Sequence, residues 1–315
     1  MNNLVVLLMG PTAVGKTNLA LELAKIYPIE IISVDSALIY REMDIGTAKP
    51  TAQELAQVPH HLIDIINPNQ EYNVGDFVRQ VQQLISQILN RGKLPLLVGG
   101  TMMYYNALIN GLSTLPPSNR VIRAQLEEEL GIQGIDKLYA QLQQVDPIIA
   151  TRINSNDKQR IMRALEVYKI TGSPLSQLQL NSPKNNLLAN YNVLPLSIIP
   201  SKREELHQRI NQRFKQMLQA GFIMEVSNLR EKYQDLTKDS NSMRAVGYAE
   251  VWQYLDKQIN YQELLEHGQA ATRQLAKRQI TWLRQLDSIN LLDVDLDINN
   301  LLKSATNQIN QILKS

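Results

Sequence analysis

The chain has 315 residues, of which 44% are hydrophobic and 20% are charged, and its formal net charge is +2 at pH 7. This length allows one elaborated domain or about two domains with a sizeable buried core. The absence of cysteine excludes disulfides and thiolate metal sites and suits the cytoplasmic location that we expect. The small net charge neither requires nor excludes a nucleic-acid partner, because such a partner needs only a local cluster of cations.

The amino-terminal segment predicts a buried strand rather than a targeting sequence. Residues 1–4 lack the basic segment of a secretory signal, and the apolar run Leu4–Met9 is too short to span a membrane. We therefore expect no membrane segment and interpret Leu4–Met9 as the first strand of a sheet.

A phosphate-binding motif follows this strand directly. It reads G-x-x-x-x-G-K-[ST] and consists of Gly10, Pro11, Thr12, Ala13, Val14, Gly15, Lys16 and Thr17. A helical pattern comes next, and strand, glycine-rich turn and helix are the context that this P-loop motif requires. Backbone N–H groups and Lys16 can bind phosphate oxygens, and the hydroxyl of Thr17 can hold Mg²⁺. We therefore expect a di- or triphosphate ligand together with Mg²⁺.

Alternating patterns predict a P-loop NTPase-like α/β core with a parallel sheet. Strands are expected at 29–34, 61–65 and 94–98, and a helix is expected at 77–89. Ligands bind beyond the carboxyl ends of parallel strands. The P-loop, Asp35-Ser36 and Gly100-Thr101 should therefore lie at the same edge.

The pattern changes in the second third of the chain. A Pro-Pro break at 115–118 precedes a helical stretch at 119–171 and a loop-like stretch at 172–190, and strand character returns at 192–199. The remainder is mostly helical, with a peripheral helix in the tail from Asp293. We expect a core of residues 1–116 and 186–315, whose carboxyl-terminal part is mostly helical. A helical insertion domain is expected at 117–185.

Two absences narrow the class of enzyme. The strand at 94–98 ends in Gly-Gly-Thr rather than in the carboxylate with which P-loop ATPases usually hold Mg²⁺. The N-K-x-D signature of guanine recognition is also missing. A GTPase switch is therefore not expected, whereas a small phosphotransferase remains possible.

Three side chains are candidates for chemistry, each with an alternative structural role. Asp35 can be a general base, can support Mg²⁺ indirectly, or can cap a helix expected to begin at 37–40. Thr101 either stabilises a turn or donates to an anion. Arg123 is either a surface arginine or a guanidinium that closes over a pyrophosphate.

Clustered cations favour an RNA partner. In the helix expected at 271–286, Arg273, Lys277 and Arg284 share one face. The opposite face is expected to be core and carries Ala271, Leu275, Trp282 and Leu286, with Ala276 and Leu283 on its flank. Arg160 and Arg163 likewise lie away from the apolar side of their helix.

Several stretches, in unbroken order from residue 4 to about 286, closely resemble the tRNA dimethylallyltransferase family. Besides the P-loop they are SVDSALIY at 33–40, MDIGTAKP at 43–50, HHLID at 60–64, VGGT at 98–101, ND at 156–157 with QR at 159–160, RALE at 163–166, RAVGY at 244–248 and the segment 271–284. The resemblance implies transfer of a dimethylallyl group from dimethylallyl diphosphate to N6 of adenosine 37 in tRNA.

The resemblance also implies roles for individual residues. Residues 10–17 would hold the diphosphate with Mg²⁺, Asp35 would take the proton from N6, and Thr101 and Arg123 would face the reacting centre. Contacts to the flipped base and the anticodon stem-loop would come from Asp35, Ser36, Ala37, Leu38, Gln159, Arg160, Ile161, Met162, Arg163, Arg244, Ala245, Val246, Gly247, Tyr248, Ala249, Lys277, Arg278, Gln279, Ile280, Thr281, Trp282, Leu283 and Arg284.

One departure from the family is visible. Ala249-Glu250 stands where the family often has Arg-Gln, so one RNA contact is in doubt. The alternatives to a prenyl transferase are a small-molecule P-loop kinase, which would consume ATP, and an RNA-binding NTPase, which would release phosphate on binding RNA. We expect a monomer, because an asymmetric RNA ligand needs no two-fold partner.

Overall fold

A computed structural model describes residues 3–182, 186–286, 290–292 and 297–314. The chain divides into two compact units. One unit, which we call the α/β unit, contains Met1–Ile109 and Leu187–Ser315. The other, the helical unit, contains Asn110–Asn186 and so begins earlier in the chain than the predicted 117–185.

The helices are numbered in chain order. They are α1 (Lys16–Ile26), α2 (Ala52–Gln57), α3 (Val74–Asn90), α4 (Met102–Asn110), α5 (Arg120–Gln133), α6 (Ile135–Val145), α7 (Pro147–Ala150), α8 (Lys158–Thr171), α9 (Leu175–Asn181), α10 (Arg203–Gln219), α11 (Phe222–Lys232), α12 (Tyr248–Leu255), α13 (Tyr261–Leu283) and α14 (Ile298–Lys314). A 3-10 helix occupies Leu187–Asn190.

A parallel sheet forms the centre of the α/β unit, as predicted. Its strands are β1 (Leu4–Met9), β2 (Ile29–Val34), β3 (His60–His61), β4 (Leu94–Gly99), β5 (Asn192–Ser197) and β6 (Asn290–Leu291), in the order β3-β2-β4-β1-β5-β6. Gly99 pairs with Met9 on one side and with Val34 on the other. The carboxyl ends of β1, β2 and β4 are therefore level, which brings the three loops that follow them to one edge.

Two layers of helices cover the sheet. Residues of β1 alternate between an apolar cluster that includes α1 and α14 and a second cluster that includes α3 and α4. A strand buried on both faces reads as a continuous apolar run, which is why β1 could be recognised from its sequence. The predicted tail helix is present as α14, with Leu301, Ala305 and Ile309 buried, whereas 293–296 lie outside the described residues.

A third core joins α10, α11, α12 and α13 within the same unit. Phe222 lies between Phe214 and Tyr248, and the rings meet edge to face. Gly268 of α13 packs against the Phe214 ring, and a Cβ atom at this position would lie 1.9 Å from that ring. The absence of a side chain at Gly268 thus allows α13 to approach α10 closely.

The helical unit has its own apolar core. Leu126 of α5, Leu138 and Leu142 of α6 and Leu165 of α8 are buried in it. Each of α5, α7 and α8 begins at a side-chain cap, provided by Asn119, Asp146 and Asp157 respectively. Among the described residues of the whole chain, no helix combines the length and the apolar character that crossing a membrane requires.

Some local predictions were wrong. The strand expected at 61–65 is limited to His60–His61, because Leu62 and Asp64 adopt left-handed backbone angles with φ of 62° and 55°. The loop expected at 172–190 contains α9 and the 3-10 helix. The helix expected from residue 37 is absent, and a turn occupies this position.

Gly268→Ala should destabilise the α/β unit by about 1–3 kcal/mol, because its methyl group would overlap the Phe214 ring. Urea unfolding followed by tryptophan fluorescence measures this, since Trp252 and Trp282 both lie in that unit. Gln274→Ala, at an exposed position of the same helix, is the control and should change the free energy of unfolding by less than about 0.5 kcal/mol. Wild-type stability of Gly268→Ala would contradict the packing described.

Candidate active site

A cavity of about 1250 Å³ lies at the carboxyl edge of the sheet, within the α/β unit. The P-loop, the turn after β2 and the loop after β4 line it on the side of the sheet. The loop 46–50, one side of α10 and α13 and residues 244–248 complete the wall. This volume exceeds the roughly 300–1,000 Å³ of typical small-ligand sites and therefore leaves room for a larger substrate.

The P-loop has the curled conformation that its sequence predicts. Ala13 and Gly15 have left-handed φ angles of 63° and 99°, and successive peptides in such turns form a nest for anions. Gly10 has no room for a side chain, since a Cβ atom there would lie 2.9 Å from Val14. The Lys16 ammonium donates to the carbonyl oxygens of Gly10 at 3.0 Å and of Pro11 at 2.7 Å. An arriving phosphate would compete for this ammonium.

Two cations and one carboxylate interact in the cavity. Burial lowers the pKa of Lys16 to about 8, the Asp35 carboxylate counteracts this, and the Arg213 guanidinium lowers it further. Burial also lowers the pKa of Arg213, again against the effect of Asp35. Arg213 makes no hydrogen bond to any residue that the structure describes. The site therefore holds excess positive charge that an anionic ligand would neutralise.

Asp35 forms a local turn and leaves one oxygen free. Its Oδ1 accepts hydrogen bonds from the backbone N–H groups of Ala37 at 2.8 Å and Leu38 at 3.3 Å. These bonds form an Asx turn, in which the carboxylate binds backbone N–H groups two and three residues ahead, and no helix follows it. Oδ2 accepts no hydrogen bond from any described residue, so it is available to a ligand.

Thr101 is joined to this turn. Its Oγ1 accepts a hydrogen bond from the Ser36 N–H at 3.0 Å, and its own N–H donates to the Val34 carbonyl at 3.1 Å. Gly99 lets β4 lie against β2, since a Cβ atom there would lie 2.0 Å from the Val34 oxygen. The close packing of the strand ends accounts for the Gly-Gly-Thr sequence at this point.

The face of α13 differs from the prediction. Ala276, Gln279 and Leu283 form its buried stripe, whereas Trp282 is 39% exposed and, with Leu275, lines the cavity. Arg278 also lines the cavity, and Lys277 and Arg284 are exposed. Arg273 is bound to Asn211 through Nη1 at 2.7 Å. The cationic face therefore consists of Lys277 and Arg284, with Arg278 beside the cavity.

The segment 244–250 divides between surface and core. Arg244 is exposed and lines the cavity, whereas Tyr248 is fully buried and donates through its hydroxyl to Glu225 at 2.6 Å. Glu250, at the point of departure from the family pattern, accepts from the Gly247 N–H at 2.7 Å. Glu250 therefore caps the amino terminus of α12.

The sequence predicts no function for residues 43–50, whereas the structure shows that this stretch is a fixed loop. The Glu225 carboxylate accepts from three successive backbone N–H groups, those of Asp44 at 2.9 Å, Ile45 at 2.6 Å and Gly46 at 3.2 Å. Lys49, nearly buried, pairs with Asp44 and Asp64. These bonds fix the loop that forms one wall of the cavity.

In the helical unit, the predicted functional arginines have different surroundings. Arg163 pairs with the buried Glu166 at 2.7 Å and donates to the Pro116 carbonyl at 2.6 Å, so it holds the Pro-Pro break against α8. Arg123 donates to Ser118 at 3.4 Å. Arg160 is largely exposed and lies 3.3 Å from Asp157. Arg163 is thus ion-paired and about one-third exposed, and its contact with RNA stays a prediction.

Several other predicted RNA-binding side chains are buried. They are Ile161, Met162, Tyr248, Gln279 and Leu283. Because buried side chains face the interior, outward contacts in these stretches would come from exposed neighbours such as Gln159, Arg160, Lys277, Arg278, Thr281 and Arg284.

Two cavity residues were missed as members of the site, Arg209 and Arg213. They lie four residues apart on α10, and its buried stripe is formed by Leu206, Ile210, Phe214 and Leu218. The distance of these arginines in sequence from the P-loop gave no reason to place them beside it.

A divalent metal fits the donors present. Among the described residues, no group of three His, Cys, Asp or Glu side chains could hold a metal ion by itself. Thr17 and Asp35 nevertheless line the same cavity and offer a hydroxyl and a carboxylate oxygen. Mg²⁺ takes oxygen ligands, keeps several waters and is commonly held through one or two side chains and substrate phosphates.

Comparison with known proteins shows which family this chain belongs to. A family model described as IPP transferase matches residues 38–286. The tRNA dimethylallyltransferase of Chromobacterium violaceum is 53% identical over 284 residues, which cover 90% of this chain and 87% of the relative. The enzyme of the same name from Neisseria meningitidis serogroup A is 54% identical over 279 residues, covering 88% of each chain.

Solved structures agree with these relatives. The tRNA isopentenylpyrophosphate transferase of Bacillus halodurans aligns with a TM-score of 0.69 at 36% identity and covers 99% of both chains. A eukaryotic dimethylallyltransferase acting on tRNA aligns with a TM-score of 0.82 at 29% identity, covering 99% of this chain and 80% of that one. The protein therefore belongs to the IPP transferase family.

Proposed function

We propose that this protein transfers a dimethylallyl group from dimethylallyl diphosphate to N6 of adenosine 37 in the anticodon loop of tRNA and releases diphosphate. Its membership of the IPP transferase family and the names of its relatives support this reaction. One observation carries it: the P-loop and the free oxygen of Asp35 line the same cavity. An anion cradle beside an available base suits attack by an amine with loss of diphosphate.

The leaving group would be stabilised by the cations of the cavity. The N6 lone pair attacks C1 of the prenyl group, and the C1–O bond breaks with its electron pair remaining on the diphosphate. Lys16, Arg213 and the P-loop amides would stabilise the charge that develops there, and preorganised donors of this kind contribute strongly to catalysis. The role of Arg123 stays a prediction.

Magnesium would be held by the Thr17 hydroxyl and diphosphate oxygens. When bound, it would neutralise charge on the departing diphosphate. The chain itself holds Thr17 at the first turn of α1, next to Lys16. A bound magnesium ion and the Lys16 ammonium would therefore meet the same diphosphate.

Asp35 would accept the N6 proton at Oδ2 as the C–N bond forms. Oδ1 is fixed by two backbone N–H groups, and Thr101 holds the adjacent Ser36, so the carboxylate has a defined orientation. General base catalysis of this kind contributes typically ~10²–10⁴-fold. Apolar side chains also line the cavity, namely Leu38, Leu275 and Met102, and they would limit access of water to the allylic carbon.

The RNA would be bound by exposed cations, with the target base out of its stack. Such cations are Arg160 in the helical unit and Arg244, Lys277, Arg278 and Arg284 in the α/β unit. Extruding a base from a single-stranded loop costs less than extruding one from a duplex. We propose that the enzyme acts in the cytoplasm as a monomer.

Incubation with radiolabelled dimethylallyl diphosphate and unmodified tRNA should transfer label to the RNA and release one diphosphate for each prenyl group. A tRNA with guanosine in place of adenosine 37 is the matched control and should remain unlabelled, because it lacks the exocyclic amine at N6. ATP hydrolysis without transfer of label would instead support a kinase or an RNA-binding NTPase.

Diphosphate binding should restore the proton that Lys16 loses near pH 8, because a bound anion favours the ammonium. Calorimetry at pH 8 in two buffers of different ionisation enthalpy measures this uptake. Wild type should take up about half a proton more than Lys16→Met when each binds magnesium diphosphate, since a group at its pKa is half protonated. At pH 6.5 the difference should vanish. Equal uptake at pH 8 would contradict the lowered pKa.

Asp35→Asn should lower turnover by at least ~100-fold, because the amide keeps the Oδ1 contacts of the turn but cannot accept the proton. Affinity for an anticodon stem-loop RNA should stay near that of wild type. Asp239→Asn, which removes an exposed carboxylate, is the matched control and should retain full turnover. Unchanged turnover of Asp35→Asn would refute the role of Asp35.

A further inference from the structure

Gln279 makes two long-range hydrogen bonds inside the α/β unit. Its Oε1 accepts from the backbone N–H of Thr12 at 2.9 Å, and its Nε2 donates to the carbonyl oxygen of Gly100 at 2.7 Å. The side chain is only 8% exposed. One amide from α13 therefore joins the P-loop to the loop after β4.

The packing around Gly100 depends on this amide. A Cβ atom at Gly100 would lie 2.4 Å from Nε2 of Gln279 and 3.2 Å from the carbonyl oxygen of Gly10. The glycine is thus required because the Gln279 amide and the P-loop backbone both approach it. The Gln279 side chain therefore fixes the distance between the P-loop and the loop after β4, which both line the cavity.

The bonding pattern also fixes the chemical type of this side chain. An acceptor is needed toward Thr12 and a donor toward Gly100, and a primary amide provides both. A carboxylate would keep the first contact but would place an acceptor against the Gly100 carbonyl. An apolar side chain would leave a buried N–H and a buried C=O without partners, which is costly.

We propose that Gln279 is a positioning residue that sets the geometry of the diphosphate cradle, an inference that rests on the proposed function. It holds Thr12 at the start of the P-loop and Gly100 beside Thr101, and thereby orients the amides that meet the anion. This role differs from the RNA contact that the sequence suggests for the stretch 277–284. Lys277 is exposed on the same helix and Arg278 lies beside the cavity, whereas the Gln279 side chain is buried.

Gln279→Met and Gly100→Ala test this proposal from the two sides of the contact. Each should raise the dissociation constant for inorganic diphosphate with Mg²⁺ about ten-fold, because a displaced P-loop must be reordered when the anion binds. The KM for dimethylallyl diphosphate should rise more than kcat falls. Affinity for an anticodon stem-loop RNA should stay within about two-fold of wild type, because no outward group is changed.

A double variant and a control sharpen the result. Gln279→Met combined with Gly100→Ala should weaken diphosphate binding by less than the product of the single effects, because both substitutions disrupt one contact. Gln274→Ala, the same residue type at an exposed position of α13, should leave diphosphate binding unchanged. If Gln279→Met fails to fold, Gly100→Ala and Gln279→Glu decide the question by the same measurement.

The outcomes separate this inference from the proposed function. Unchanged diphosphate affinity in the variants, or weakened RNA affinity alone, would overturn the positioning role of Gln279 while leaving prenyl transfer standing. If Gln279→Met weakens diphosphate binding but the wild-type protein never labels tRNA, the proposed reaction is overturned and the positioning role is supported.

Discussion

The close approach of three strand ends is the constraint on which this site depends. β1, β2 and β4 end at the same level, and Gly99 and Gly100 allow their backbones to come together where any side chain would collide. The P-loop, the Asp35 turn and Thr101 are adjacent for this reason. A parallel sheet thus provides one edge where an anion cradle and a carboxylate can face the same ligand.

Charge in this cavity is arranged for an anion. Lys16 and Arg213 are both partly desolvated, and burial lowers the pKa of each, while Asp35 counteracts the effect on both. One carboxylate cannot neutralise two cations, so a bound diphosphate would supply the missing negative charge. Asp35 in turn keeps one oxygen in its own turn and one free, which separates its structural contact from its proposed work as a base.

Much of the architecture could be predicted from sequence because its signals are local. β1 is a continuous apolar run, β2 is rich in β-branched residues although Glu30 and Ser33 interrupt its apolar run, and the P-loop is defined by consecutive residues. One error was local, since Oδ1 of Asp35 closes a turn where the sequence predicts a helix from residue 37. Another arose where distant packing decides the structure, since Trp282 lines the cavity although its spacing on α13 places it on an apolar face.

The same reason explains the functional residues that were missed or misassigned. Arg213 meets Lys16 and Asp35 only through the packing of α10. Gln279 contacts Thr12 and Gly100, which are 267 and 179 residues away in sequence. No periodicity within one helix reveals such a contact.

In the proposed reaction the cradle holds a leaving group, and carbon rather than phosphorus is attacked. Dimethylallyl diphosphate carrying oxygen-18 in the atom that bridges C1 and phosphorus tests this most directly, with mass spectrometry of the products after reaction with tRNA. All of the label should leave in the diphosphate, and none should enter the RNA. Label found in dimethylallyl alcohol or dimethylallyl monophosphate would mean that a P–O bond had broken, and would contradict attack at carbon.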